Sequence, residues 1–74
     1  MFAFQREKIL PVFLAKRITV QELARLAGIS HNSAFRAVNG MTISAKTVDR
    51  AAQALNIDAL TFLAEPDNTR RNNL

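Results

Sequence analysis

The tightest constraint on the fold is Gly28-Ile29-Ser30, a run that ends one short helix and begins another within three residues. Glycine has no Cβ to clash in the left-handed conformation that closes a helix, and a following serine offers its hydroxyl to a free amide of the next first turn. Upstream, Thr19 and Glu22 stand at capping-box spacing, so the first of the two helices begins near Val20 and turns Leu23, Ala24 and Ala27 inward. Downstream, Ser30 starts a helix that runs to about Asn39, where Asn39-Gly40 breaks it. Ile29 is an apolar plug in the turn. This spacing fixes the two helices at a steep angle.

The rest of the chain supplies partners for that pair. Gln5 to Lys16 reads as a preceding helix, with Ile9, Leu10, Phe13 and Leu14 recurring at the spacing of one apolar face. Pro11 interrupts it: proline removes a hydrogen bond and presses on the carbonyl four residues back, so the helix either kinks there or becomes regular only from Leu10. Ser44 caps a fourth helix from Ala45 to about Leu55, with Val48, Ala51, Ala52 and Leu55 as its buried stripe and Asn56 in the left-handed closing position. Asp58 opens a short fifth helix through Leu63. Pro66 ends regular structure, so the chain divides into a domain at 1–64 and a mobile polar tail at 65–74.

A chain of 74 residues holds one domain, and at that size only about 60% of the unfolded surface is buried, so the core must be lean. The 49% apolar content, with five Phe and neither Trp nor Tyr, suits a compact all-α bundle. There is no cysteine, hence neither a disulfide nor a thiolate metal site. One His and six carboxylates form no nucleophile-base pair and no metal cluster, so no catalysis, cofactor or metal is expected. No apolar stretch has the length of a signal peptide or a membrane span, and a cytoplasmic protein is expected. The formal charge of +4 lies wholly in residues 1–64, where eight Lys and Arg face four Asp and Glu. A basic domain attracts polyanions, although charge alone does not establish the partner.

Gln21-Glu22-Leu23-Ala24-Arg25-Leu26-Ala27-Gly28-Ile29-Ser30 resembles the opening of the helix-turn-helix in the Cro and phage-repressor-like (XRE-type) family and in the lactose-repressor family. Arg36, then Asn39-Gly40 and Ser44-Ala45-Lys46-Thr47, is especially similar to the lactose-repressor headpiece. The resemblance covers residues 19–57. A helix before the motif and another after helix four look more like the phage-repressor plan, which implies a five-helix, lambda-repressor-like domain. The function implied is a sequence-specific regulator of double-stranded DNA, a repressor first, nucleoid-associated and with no small-molecule inducer site.

A helix fits the major groove, and residues near its N-terminus reach base edges. His31, Asn32 and Arg36 share one face of the third helix and are the base-reading candidates. Arg36 can donate twice to guanine O6 and N7, Asn32 can pair with adenine N6 and N7, and His31 offers one weaker contact. The plainer reading makes His31 and Asn32 polar first-turn residues and Arg36 a solvated charge. Phosphate contacts are implied for Ser30, Ser33, Asn39, Ser44, Lys46 and Thr47 by their position in the lactose-repressor-like pattern; capped helix starts also present free amides to anions. For Ser30 and Ser44 the alternative is capping alone, and for Lys46 a solvated charge. Phe35 stands where related sequences carry a polar or small residue. It either touches a thymine methyl or leans inward to fill volume left by Ala34 and Ala37, as a Phe more commonly does. Val20 replaces a polar residue of many phage repressors, which lessens the share of helix two in affinity.

One recognition helix covers about half a turn of DNA, so such domains act as two-fold dimers on palindromic half-sites about 34 Å apart. A homodimer and a palindromic operator are therefore expected. Phe2 and Phe4, or Leu60, Phe62 and Leu63, either form the dimer surface or complete the core. Two further functions compete: an excisionase-like or architectural factor that bends DNA, and an antirepressor-like module that turns the third-helix face, with Phe35, toward another protein.

Overall fold

In the computed structural model, which describes residues 1–64, five helices follow one another: α1 (Arg6–Ala15), α2 (Val20–Ala27), α3 (His31–Val38), α4 (Ala45–Leu55) and α5 (Ala59–Phe62). The polar tail expected at 65–74, with Pro66, lies outside the described residues. The caps fall where their chemistry places them. Thr19 Oγ1 accepts from the Glu22 amide at 3.0 Å while Glu22 Oε1 accepts from the Thr19 amide at 2.9 Å, a complete capping box. Ser30 Oγ accepts from the Ser33 amide at 3.0 Å and Ser44 Oγ from the Thr47 amide at 3.2 Å. Gly28 and Asn56 close α2 and α4 in the left-handed conformation, with φ of 70° and 58°.

Helix α1 departs from expectation in two ways. It is helical through Pro11 from Arg6 onward, its first turn closed by the amides of Lys8 and Ile9 on the Gln5 carbonyl at 2.9 Å. The delayed start near Leu10 is thus corrected. Pro11 and Glu7, the residue whose carbonyl loses a partner, both face solvent, where water can replace the missing bond. Second, Leu14 is 62% exposed and leaves the apolar face, while Leu10 is half-buried. The buried stripe of α1 is only Ile9 and Phe13, one turn apart, because α1 meets the body along a single narrow line.

The core gathers around α3, which packs against α1, α2 and α4. Ala34 and Ala37 of α3 are fully covered, and their small side chains let these neighbours approach closely. Leu23, Val38, Val48, Ala51 and Leu55 complete the centre with Ile9 and Phe13.

An extended N-terminal strap closes the domain. Phe2 pairs antiparallel with Ile43, amide to carbonyl in both directions at 2.9 and 2.7 Å. Further on, the Gln5 amide donates to the Phe62 carbonyl and the Ala64 amide to the Ala3 carbonyl, both at 2.8 Å, around the bridge between Phe4 and Leu63. Phe4 is therefore a core residue, 1% exposed, and the terminal apolar residues divide: Phe62 and Leu63 are half-buried, while Phe2 and Leu60 remain on the surface. The strap crosses Gly40, whose φ is +72° and whose position would bring a Cβ to 3.1 Å from the Phe4 carbonyl oxygen. None of the described helices is long and apolar enough to cross a membrane.

Candidate nucleic-acid interface

The angle between α2 and α3 is set by the turn and by a residue outside it. The Ile29 amide donates to the Ala24 carbonyl at 3.0 Å, folding the chain back over the end of α2. Arg50 on α4 then donates through Nη1 to the Gly28 carbonyl at 3.0 Å, so the fourth helix fastens the turn that joins the other two. A cation at this point also meets the negative end of the α2 dipole. Sequence reasoning missed Arg50. Nothing in the local pattern of α4 distinguishes it from a solvated charge.

Helix α3 begins with its capping serine doubly engaged: Ser30 Oγ accepts the Ser33 amide and donates to Ser33 Oγ at 2.9 Å. His31 and Asn32 follow in the first turn, both exposed, and neither side chain makes a hydrogen bond among the described residues. One turn on, Arg36 is half-buried, because its guanidinium folds onto the loop between α3 and α4. There Nε donates to the Thr42 carbonyl oxygen and Nη2 to Thr42 Oγ1, each at 2.9 Å. The three candidates thus stand on α3 in two different conditions, His31 and Asn32 without a side-chain partner among the described residues and Arg36 held.

Phe35 is 47% exposed, which corrects the inward packing expected of it. A helix advances about 100° per residue, so Ala34, Ala37 and Val38 share the buried side while Phe35, about 100° round from Ala34, lies on its flank. Phe35 stands next to His31, one turn earlier on the outer surface.

Of the residues implied in phosphate contact, Ser30 and Ser33 lie at the start of α3, Asn39 at its end, and Ser44, Lys46 and Thr47 at the start of α4. Ser44 and Lys46 are exposed, and no carboxylate lies in the first turn of α4 or of α3, whereas α2 carries Glu22 in its own. The partial positive charge at those two helix starts is therefore not neutralised from within the same turn. Asn39 donates its Nδ2 to the Phe35 carbonyl at 2.8 Å, finishing α3 from the side chain. Thr47 is buried, 9% exposed, with its hydroxyl 3.0 Å from Ser44 Oγ and its amide on the same oxygen. Of the six, Thr47 offers the least surface. No cluster of His, Cys, Asp or Glu that could hold a metal ion exists among the described residues.

The helix-turn-helix family model matches residues 13–62, from the last turn of α1 through α5. No curated protein and no solved structure matches the chain.

Proposed function

The chain belongs to the Cro and phage-repressor-type (XRE) helix-turn-helix family, a family of DNA-binding regulatory domains and not of enzymes, and from that premise we propose a sequence-specific repressor that reads duplex DNA with α3 in the major groove. The observation that carries the reading is the first turn of α3. His31 and Asn32 stand exposed, with no side-chain hydrogen bond among the described residues, beside a helix start that carries no carboxylate in its own first turn, and Arg36 lies one turn behind. A helix inserted by its N-terminal end brings such residues to base edges. Arg36 serves guanine, Asn32 adenine, and His31 a single acceptor.

Phosphate contacts from Ser30 and Ser33 at one helix start, and from Ser44 and Lys46 at the next, hold the register, with Asn39 between them and Thr47 contributing least because its side chain is covered. The protein works as a homodimer on a palindromic operator in the cytoplasm, on the nucleoid, with half-sites about one helical turn apart.

The test is selection of bound duplexes from a random pool, followed by affinity against salt for the selected sequence. A phosphate-anchored complex weakens with a log-log slope of about 0.9 per neutralised phosphate. Lys46→Ala should flatten that slope by about one and weaken all sequences alike, whereas Arg36→Ala should relax preference at one position. The exposure of Phe35 favours a second reading, in which the α3 face docks on another protein. That interface would show almost no salt dependence and would select no DNA sequence.

A further inference from the structure

We propose that Thr42, in the loop between α3 and α4, is the positioning residue that fixes how Arg36 presents its guanidinium, and that the base so read is guanine. The inference rests on the reading of α3 given above and deepens it.

An arginine carries five N–H donors on a flat fork. Nε–H and one hydrogen of Nη2 lie along one edge; the other hydrogen of Nη2 and one of Nη1 lie along the next. Arg36 commits the first edge to a single residue, with Nε on the Thr42 carbonyl and Nη2 on the Thr42 hydroxyl, each at 2.9 Å. Two bonds to one residue fix both the plane and the roll of the group, where one bond would leave it free to swivel. The second edge has no partner among the described residues. It consists of two parallel donors, the geometry that accepts a pair of adjacent acceptors.

In the major groove guanine alone shows two adjacent acceptors, O6 and N7, on one base edge; adenine replaces O6 by a donor. The chemistry of the remaining edge therefore selects guanine. Thr42 is itself held on both sides. The Met41 amide donates to the Arg36 carbonyl at 2.9 Å, and Ile43 is paired with Phe2 of the N-terminal strap. A long side chain ordered before DNA arrives loses less freedom on binding, which favours recognition.

The proposal is tested with four proteins, the parent, Arg36→Ala, Thr42→Val and Thr42→Ser, plus the double variant of the first two substitutions. Each is scored by selection from random duplexes and by affinity for the best duplex against the same duplex with the guanine replaced. Thr42→Val keeps the branched shape and removes the hydroxyl; Thr42 is exposed, and thermal unfolding of each variant is the check that the domain stays intact. Thr42→Val should reduce preference at the Arg36-dependent position about tenfold with the salt slope unchanged. Thr42→Ser should restore it, and Thr42→Val should add nothing once Arg36 is Ala.

An intact preference in Thr42→Val, with that of Arg36→Ala lost, would overturn the positioning role and leave the reading by α3 standing. An Arg36→Ala profile identical to the parent would overturn that reading itself. Tighter or sharper binding by Thr42→Val would show a clasp that withholds Arg36. Dependence on a base other than guanine, or an even loss across all sequences, would overturn the assignment of guanine.

Discussion

Gly28 and Gly40 have almost the same backbone conformation, with φ of +70° and +72°, yet replacing each with Ala should have very different effects. Left-handed backbone costs an L-residue about 1–2 kcal/mol. The alanine also restricts the unfolded chain, which returns about 0.5–1 kcal/mol. At Gly28 those two terms are nearly the whole effect, because the new Cβ meets only Arg50 Nη1, the end of a long side chain, at 3.5 Å. Gly28→Ala should therefore cost roughly 0.5–1 kcal/mol. At Gly40 the Cβ would stand 3.0 Å from Arg6 Cβ, 3.1 Å from the Phe4 carbonyl oxygen and 3.3 Å from the Arg6 amide nitrogen. The strap cannot retreat, since its pairing with Ile43 and Phe62 and the burial of Phe4 hold it on both sides. Overpacking of this kind adds about 1–3 kcal/mol, for a total of roughly 2–4 kcal/mol. With a urea dependence of about 1 kcal/mol per molar for a domain this small, the midpoint of Gly40→Ala should fall by about 2–4 M and that of Gly28→Ala by less than about 1 M. Equal shifts for the two variants would refute the reasoning, because they would mean that the strap does not bear on Gly40.

Three more expectations are open to simple measurement. Arg17 holds a φ of 57° without being a glycine, so Arg17→Gly should stabilise the domain by about 0.5–1 kcal/mol, seen as a rise of several degrees in Tm. Arg50→Ala removes the donor on the Gly28 carbonyl and should cost about 1 kcal/mol in urea unfolding, with DNA binding weakened evenly across sequences. Phe4→Ala should cost about 3–5 kcal/mol and leave little folded protein, whereas Phe35→Ala, at a half-exposed site, should cost under about 1 kcal/mol; far-UV circular dichroism against urea separates the two.

What the sequence discloses is short-range chemistry. Thr19 with Glu22, Ser30 with Ser33, Ser44 with Thr47, and the closing residues Gly28 and Asn56 act within a turn of themselves, so residue type and spacing reveal them. The strap leaves no such trace. Its bonds join backbone groups at Phe2 and Ile43, and at Gln5 and Phe62, and a backbone amide is the same in every residue but proline. The Arg50 bond to Gly28 spans 22 positions and depends on how α4 crosses the turn. Periodicity gave Ile9 and Phe13 correctly and Leu14 wrongly, because it names a face and not the width of the contact against it. At the candidate site, the caps of α3 are legible and position along the helix is what singles out His31, Asn32 and Arg36 as candidates. The hold of Thr42 on Arg36 depends on the path of the following loop, which no spacing rule encodes.

The most direct test of the account is a titration of isotope-labelled protein with its selected duplex, followed through the amide and side-chain NMR signals. The account predicts the largest shifts at His31, Asn32, Ser33 and the Arg36 guanidinium, with a second group at Ser44 and Lys46, and little change at Leu14 or Leu60 on other surfaces. An α3 first turn that stays unperturbed while the duplex binds elsewhere would contradict it.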